Sequence, residues 1–197
     1  MTALPPQAID RSQIRTGDLL LCSGSGWFSK MIQAATRSEW SHVALLIRLD
    51  AFDRIMVLES VESIGVRTVP LHQYLENYDQ MGNPYPGEMA ILRHRDFADK
   101  VQPEAFERLG RFAVDHFGYP YDSQQIAEIA ARITLNRMAP EMLDSFPHPP
   151  KSSNAQAYIC SEYVAACYAQ VGIEIHPSTF GFTTPADFVD DPKLVRV

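Results

Sequence analysis

The sequence predicts an α+β fold in which a mostly antiparallel sheet packs against helices. Three observations carry this expectation. Between residues 42 and 94, β-rich runs follow one another through connections too short to hold a crossover helix. From Pro103 onward, apolar positions recur at helical spacing, bracketed by helix start and stop signals. Hydrophobic residues make up 46% of the 197-residue chain and charged residues 21%, a balance that supports a packed core and excludes disorder or collagen-like repetition. The length suits one domain over 1–197, with its core from about residue 14.

In chain order, Ile14 to Cys22 reads as the first strand, closed by the Ser23-Gly24-Ser25-Gly26 loop. That loop lacks the spacing of a phosphate or dinucleotide fingerprint, so it is read as a turn and no cofactor is expected. Apolar positions 27, 28, 31, 32, 34 and 35 place a short amphipathic helix over Trp27 to Arg37. His42 to Arg48 and Arg54 to Ser60 form a hairpin, Gly65 to Val69 follows, and Glu88 to His94 is a further strand. Pro103 suits the first position of a helix that ends before Gly118. Asp122 with Gln125 resembles a capping box for a helix running to about Met138. Ala139 to Asn154, rich in proline and serine, is a long surface loop. A helix over Ile159 to Gln170 stops at Gly172, Thr184-Pro185 caps a last short helix, and Leu194 to Val197 is a terminal strand.

Charge and cysteine usage narrow the function. Seventeen basic and 24 acidic residues leave a net charge of -7 with no basic block, which disfavours nucleic acid and anionic lipid as partners. The longest strongly apolar run, Val43 to Ile47, is far too short to span a bilayer, so no stable membrane insertion is expected. The N-terminus shows no export signal, which points to a cytoplasmic location for the chain as it stands, an exported mature form remaining compatible. Three cysteines, Cys22, Cys160 and Cys167, without a CxxC pair suggest neither a disulfide scaffold nor a structural zinc site.

Cys160 falls in or just before the first turn of its helix. There, unpaired backbone N–H groups and the helix dipole favour the nucleophilic thiolate and can hold an oxyanion. The alternative is a small core residue in an Ala/Val-rich helix. Among six histidines, His42 stands out because it opens an apolar strand; it is either a catalytic base or a half-buried strand-end residue. A hairpin turn centred between Asp50 and Ala51 sets Glu59 directly opposite His42, on one face of the sheet. A two-residue slip keeps them diagonal neighbours on that face. A carboxylate there fixes the imidazole tautomer and stabilises the imidazolium, unless the two are an ordinary exposed pair. Cys22 and Cys167 are more economically core residues, and a metal site from Cys22, His42, Glu59 and Cys160 lacks a close ligand pair. Tyr119-Pro120-Tyr121-Asp122 is either a loop with a helix cap or the lining of a cleft.

The order Gly17-Asp18-Leu19-Leu20, Lys30-Met31-Ile32-Gln33-Ala34-Ala35-Thr36, Ser41-His42-Val43, Val57-Leu58-Glu59, Gly118-Tyr119-Pro120-Tyr121-Asp122 and Cys160-Ser161-Glu162-Tyr163 resembles the permuted papain-like amidases of the YaeF/YiiX-like branch, related to the NlpC-type cell-wall cysteine peptidases. The resemblance spans about Ile14 to Pro185. It implies a circularly permuted papain-like fold, with the cysteine at a helix N-terminus against a sheet that carries the histidine. It also implies a cysteine-dependent amide hydrolase, with Cys160 as nucleophile, His42 as base and Glu59 as its acidic partner. The expected substrate is a small peptide or cell-wall fragment. Tyr121, Asp122 and Glu162 are the expected substrate-binding residues, and the acids suit a free amino group. Two other readings stand beside this one: a lipid acyltransferase or thioesterase of the lecithin:retinol acyltransferase type, and a non-catalytic peptide-binding module.

Overall fold

The computed structural model describes residues 9–123, 157–177 and 182–197. Among these, six strands form one sheet: β1 (Leu19–Ser23), β2 (His42–Leu49), β3 (Arg54–Val61), β4 (Gly65–Pro70), β5 (Glu88–His94) and β6 (Leu194–Arg196). Their order is β4-β3-β2-β1-β5-β6, and every neighbouring pair is antiparallel. The helices are α1 (Trp27–Thr36), α2 (Leu71–Glu76), α3 (Phe97–Lys100), α4 (Pro103–Asp115), α5 (Cys160–Ala169) and α6 (Pro185–Asp190). No helix of the described residues is long and apolar enough to cross a membrane. The helix expected from Asp122 to Met138 and the loop from Ala139 to Asn154 lie outside the described residues, apart from Asp122 and Ser123.

Alternation along the strands explains why their apolar runs are continuous: successive side chains point to opposite faces, and here both faces are covered. Leu19, Leu21, Val43, Leu45 and Leu58 pack on one face with Leu109 and Ala113 of α4 and Tyr163, Val164, Cys167 and Tyr168 of α5. Leu20, Cys22, Ala44, Leu46 and Val57 pack on the other with Ile14 and with Leu71 and Tyr74 of α2. Helix α5 meets β2 and β3 on one side and α4 on another, so it is buried nearly all round.

Three sequence expectations need correction. The first strand begins at Leu19 rather than Ile14, because Gly17 at φ +92° and a turn bond from Asp18 N–H to Arg15 O interrupt the extended run. The buried Asp18 carboxylate is then clamped by Arg93, whose Nε and Nη2 donate at 2.7 Å each. In the β2–β3 hairpin, Leu49 pairs with Arg54 and Leu45 with Leu58, one step beyond the predicted turn centre. Asp50–Phe52 form a 3-10 turn, and Asp53 closes it at φ 48°, so the loop is longer than a turn between Asp50 and Ala51 allows. Finally, α2 and α3, of 6 and 4 residues, are too short to show a helical period in the sequence.

Gly65, at φ +87°, begins β4 where the chain after α4 crosses closely. Val66 N–H donates to Tyr119 O at 2.8 Å and Gly118 N–H to Val66 O at 2.9 Å, while a Cβ on Gly65 would meet Tyr119 O at 2.0 Å. Gly65→Ala is therefore expected to destabilise the fold by about 2 kcal/mol or more, from backbone strain plus displacement of the Tyr119 segment. Urea denaturation of the variant checks this, and unchanged stability would contradict it. The same crossing delivers Tyr121 to a parallel bridge with Tyr158, two residues before Cys160.

Candidate active site

Four elements converge at one end of the sheet. His42 is the first residue of β2, and Glu59 lies on β3 diagonally across from it, on the same face. Cys160 is the first residue of α5, after Ile159 in extended conformation at the N-cap. Ile159 makes no side-chain cap bond to this helix, and the N–H groups of a helix's first turn have no partner within the helix itself. Ser60 Oγ donates to Tyr158 O at 2.7 Å and Ser161 Oγ to Thr183 O at 2.7 Å, which ties the approach to the helix and its first turn to their neighbours.

His42 Nε2 and Glu59 Oε2 are 2.7 Å apart, and the His42 ring is also hydrogen-bonded to the Cys160 side chain. With Nε2 engaged by the carboxylate, Nδ1 is the ring atom left for the thiol. Glu59 is fully buried, an expensive place for a carboxylate unless donors surround it. They do: besides His42, the Tyr74 hydroxyl donates to Oε2 at 2.6 Å, and Arg67 Nε donates to Oε1 at 2.9 Å. Burial would push the Glu59 carboxyl up, but His42, Arg67 and Tyr74 outweigh it and hold the group below its usual range. Burial likewise opposes charge on His42, yet the bonds and charges of Cys160 and Glu59 raise its pKa from 6.5 to about 10. Such an arrangement favours imidazolium beside the thiol.

A cleft of about 450 Å³ opens over these groups. Trp27, Phe28 and Tyr121 line it along with Tyr74, Tyr78 and Tyr85, and Glu62 joins His42 as a charged side chain facing it. Of the three expected substrate-binding residues, Tyr121 lines this cleft, whereas Asp122 and Glu162 are not among its lining residues. Their charges still act on Tyr121, as do those of Cys160 and Glu62. Reasoning from sequence missed Arg67, Tyr74 and Glu62. Arg67 stands directly opposite Glu59 in the β3–β4 register, a relation that a turn over residues 62–64 would have exposed. Tyr74 had no comparable signal, since its helix is too short to be read.

Cys22 is paired with His42 in the β1–β2 register, but it is fully buried; burial, and then the charges of Glu59 and Cys160, push its thiol well up. Burial pushes the Cys167 thiol up to about 12. Among the described residues no group of three or more His, Cys, Asp or Glu side chains is arranged to hold a metal ion. Iodoacetamide near pH 7 is therefore expected to label Cys160 at least about tenfold faster than Cys22 or Cys167, since Cys160 alone of the three faces the cleft at a helix N-terminus. Peptide mapping of the alkylated protein measures this, and equal rates at all three thiols would remove the case for a special cysteine.

The family model described as "Permuted papain-like amidase enzyme, YaeF/YiiX, C92 family" matches residues 13–197. The chain belongs to this family. As a permuted papain-like amidase it is a cysteine peptidase or amidase, a hydrolase of amide bonds. A solved structure, that of metalloprotein yiiX from Escherichia coli O157:H7, is similar with a TM-score of 0.61 at 20% identity, over 94% of this chain and 97% of that one. That likeness supports the permuted papain-like architecture. Comparison with curated proteins gave no significant match.

Proposed function

We propose that this permuted papain-like amidase cleaves its substrate through Cys160, His42 and Glu59, by way of an acyl-thioester. The observation that carries this reading is the buried Glu59 carboxylate 2.7 Å from His42 Nε2, with the same imidazole bonded to Cys160 at the start of α5. In the first half-reaction the Cys160 thiolate attacks the amide carbon, and the oxyanion forms in front of the first-turn N–H groups. His42 then gives its proton to the leaving amine as the C–N bond breaks. In the second, neutral His42 takes a proton from water, the hydroxide adds to the thioester, and the C–S bond breaks to release the acid and restore the thiolate. Glu59 keeps Nδ1 aimed at the sulfur and balances the imidazolium. The yiiX structure is described as that of a metalloprotein; the chemistry proposed for this chain runs on its own side chains.

The proposed substrate is a small peptide or cell-wall peptide fragment with a free amino group. The aromatic walls suit a compact ligand, Tyr121 offers a ring and a hydroxyl, and the negative field of Glu62, Asp122 and Glu162 at Tyr121 favours a cation. Mass spectrometry after exposure to dipeptides, stem peptides and acyl-lipid analogues is expected to show a Cys160 adduct from the peptides. A free-amine peptide is expected to exceed its N-acetylated twin in kcat/KM by about tenfold, or ~1.4 kcal/mol. Equal rates for the two would remove amine recognition, and adducts from acyl lipids alone would move the reaction to acyl transfer.

A further inference from the structure

Glu59 has no exposure to solvent, so protein groups must meet all of its hydrogen-bonding demand. They do so asymmetrically. Oε2 serves His42 Nε2 at 2.7 Å and the Tyr74 hydroxyl at 2.6 Å together, while Oε1 faces Arg67 Nε at 2.9 Å. We infer that Tyr74 and Arg67 are positioning residues of the hydrolase, which keep Glu59 ionised and aimed at His42 so that the imidazolium persists beside Cys160. The inference rests on the roles proposed above for Cys160, His42 and Glu59.

Geometry excludes an idle role for either residue. A guanidinium has no acceptor, so a proton on Oε1 would confront Arg67 directly. Arg67 lies opposite Glu59 in the β3–β4 register and is carried by the edge strand, so its placement follows from strand pairing. Tyr74 is held by its ring, which stacks on Tyr85 at 5.6 Å and meets Tyr78 edge-on at 5.2 Å. Its phenol, 2% exposed, thus delivers one donor to the oxygen that His42 uses. The titratable and charged groups that act around Glu59 are Cys22 from β1, His42 from β2, Arg67 from β4, Tyr74 from α2, and Tyr78 and Tyr85 from the segment between α2 and β5. Of these, Arg67 supplies the permanent positive charge, and Tyr74 the donor on the shared oxygen.

Removing either residue makes Glu59 easier to protonate. Glu59 then loses its charge at a higher pH, and its hold on the His42 ring beside Cys160 weakens there. The readout is the rate of Cys160 alkylation by iodoacetamide as a function of pH. Tyr74→Phe is expected to move the acid-side midpoint up by about 0.5 unit or more, and Arg67→Met to move it further, with Arg67→Lys recovering most of the shift. Tyr168→Phe is the control, because it deletes another buried phenol, bonded to Gly17 O at 2.7 Å, away from Glu59. It is expected to cost stability without moving the midpoint. A midpoint unmoved in Tyr74→Phe and Arg67→Met, or one moved equally by Tyr168→Phe, overturns the inference. Should Tyr74→Phe fail to fold, the Arg67 pair decides, because that side chain is 23% exposed on an edge strand and tolerates change. If Cys160 in the parent protein alkylates no faster than Cys22 and Cys167, and His42→Ala has no effect on it, the underlying triad reading fails. If those controls hold and the midpoints do not move, only the positioning role falls.

Discussion

Cys160→Ser is expected to lower kcat/KM for amide hydrolysis by at least about 10³-fold, or ~4 kcal/mol of transition-state stabilisation. The residue is 3% exposed at the first position of α5, and serine is close to isosteric, so the helix and its packing should persist. What is lost is the ionisable nucleophile. A hydroxyl is far harder to deprotonate than a thiol, and neither the His42 imidazole nor a helix N-terminus brings it within range near neutral pH. Measuring kcat/KM alongside the thermal midpoint separates the chemical effect from misfolding. A folded serine variant that kept more than about a tenth of the activity would remove Cys160 from the nucleophile's role.

Glu59→Ala carries the largest expected effect on stability, about 3–5 kcal/mol at pH 5 to 6. Three donors converge on this fully buried carboxylate, and alanine would leave the Arg67 guanidinium, the Tyr74 hydroxyl and the His42 ring facing an apolar gap. The pH dependence has a definite sign. The Glu59 pKa is lowered on folding from 4.5, so its contribution is present above that value and is lost as pH falls through the folded pKa. The His42 pKa is raised from 6.5 to about 10, so its contribution is complete below 6.5 and is lost as pH rises toward 10. The stability gap between the parent and Glu59→Ala is therefore expected to be widest between about pH 4.5 and 6.5 and to narrow on both sides. Urea titrations at pH 3, 5.5 and 9 measure it; a gap constant across that range would mean that packing alone holds Glu59 in place.

Local sequence carried much of this fold for identifiable reasons. The runs Leu19-Leu20-Leu21-Cys22 and Val43-Ala44-Leu45-Leu46 are apolar at every position because helices cover both faces of the sheet, so the strands could be recognised but their faces could not be told apart. Capping chemistry is local as well: the helix start that Thr184-Pro185 announced is there, closed by a capping box in which Thr184 N–H donates to Asp187 Oδ2 at 2.6 Å. The His42 and Glu59 pairing survived a turn placed one step too early, because side-chain direction alternates with period two and the error in register was two residues. The start of the first strand was not legible, since the bond between Arg93 and Asp18 that stabilises the turn before it joins residues far apart in the chain.

Spacing and motif order along the chain were enough to mark the six strands and four of the six described helices, and to single out a cysteine at a helix start, a strand-end histidine and a hairpin carboxylate as candidates for one site. What surrounds these three residues came from packing between distant segments. It placed β1 between β2 and β5, set the Tyr74 hydroxyl and the Arg67 guanidinium on Glu59, and turned Glu62 and Tyr121 toward the cleft. The physical reason is range. A hydrogen bond to a buried carboxylate constrains a few ångströms in space and nothing along the chain, so its donors come from whichever elements packing brings past, and no periodicity marks them in advance.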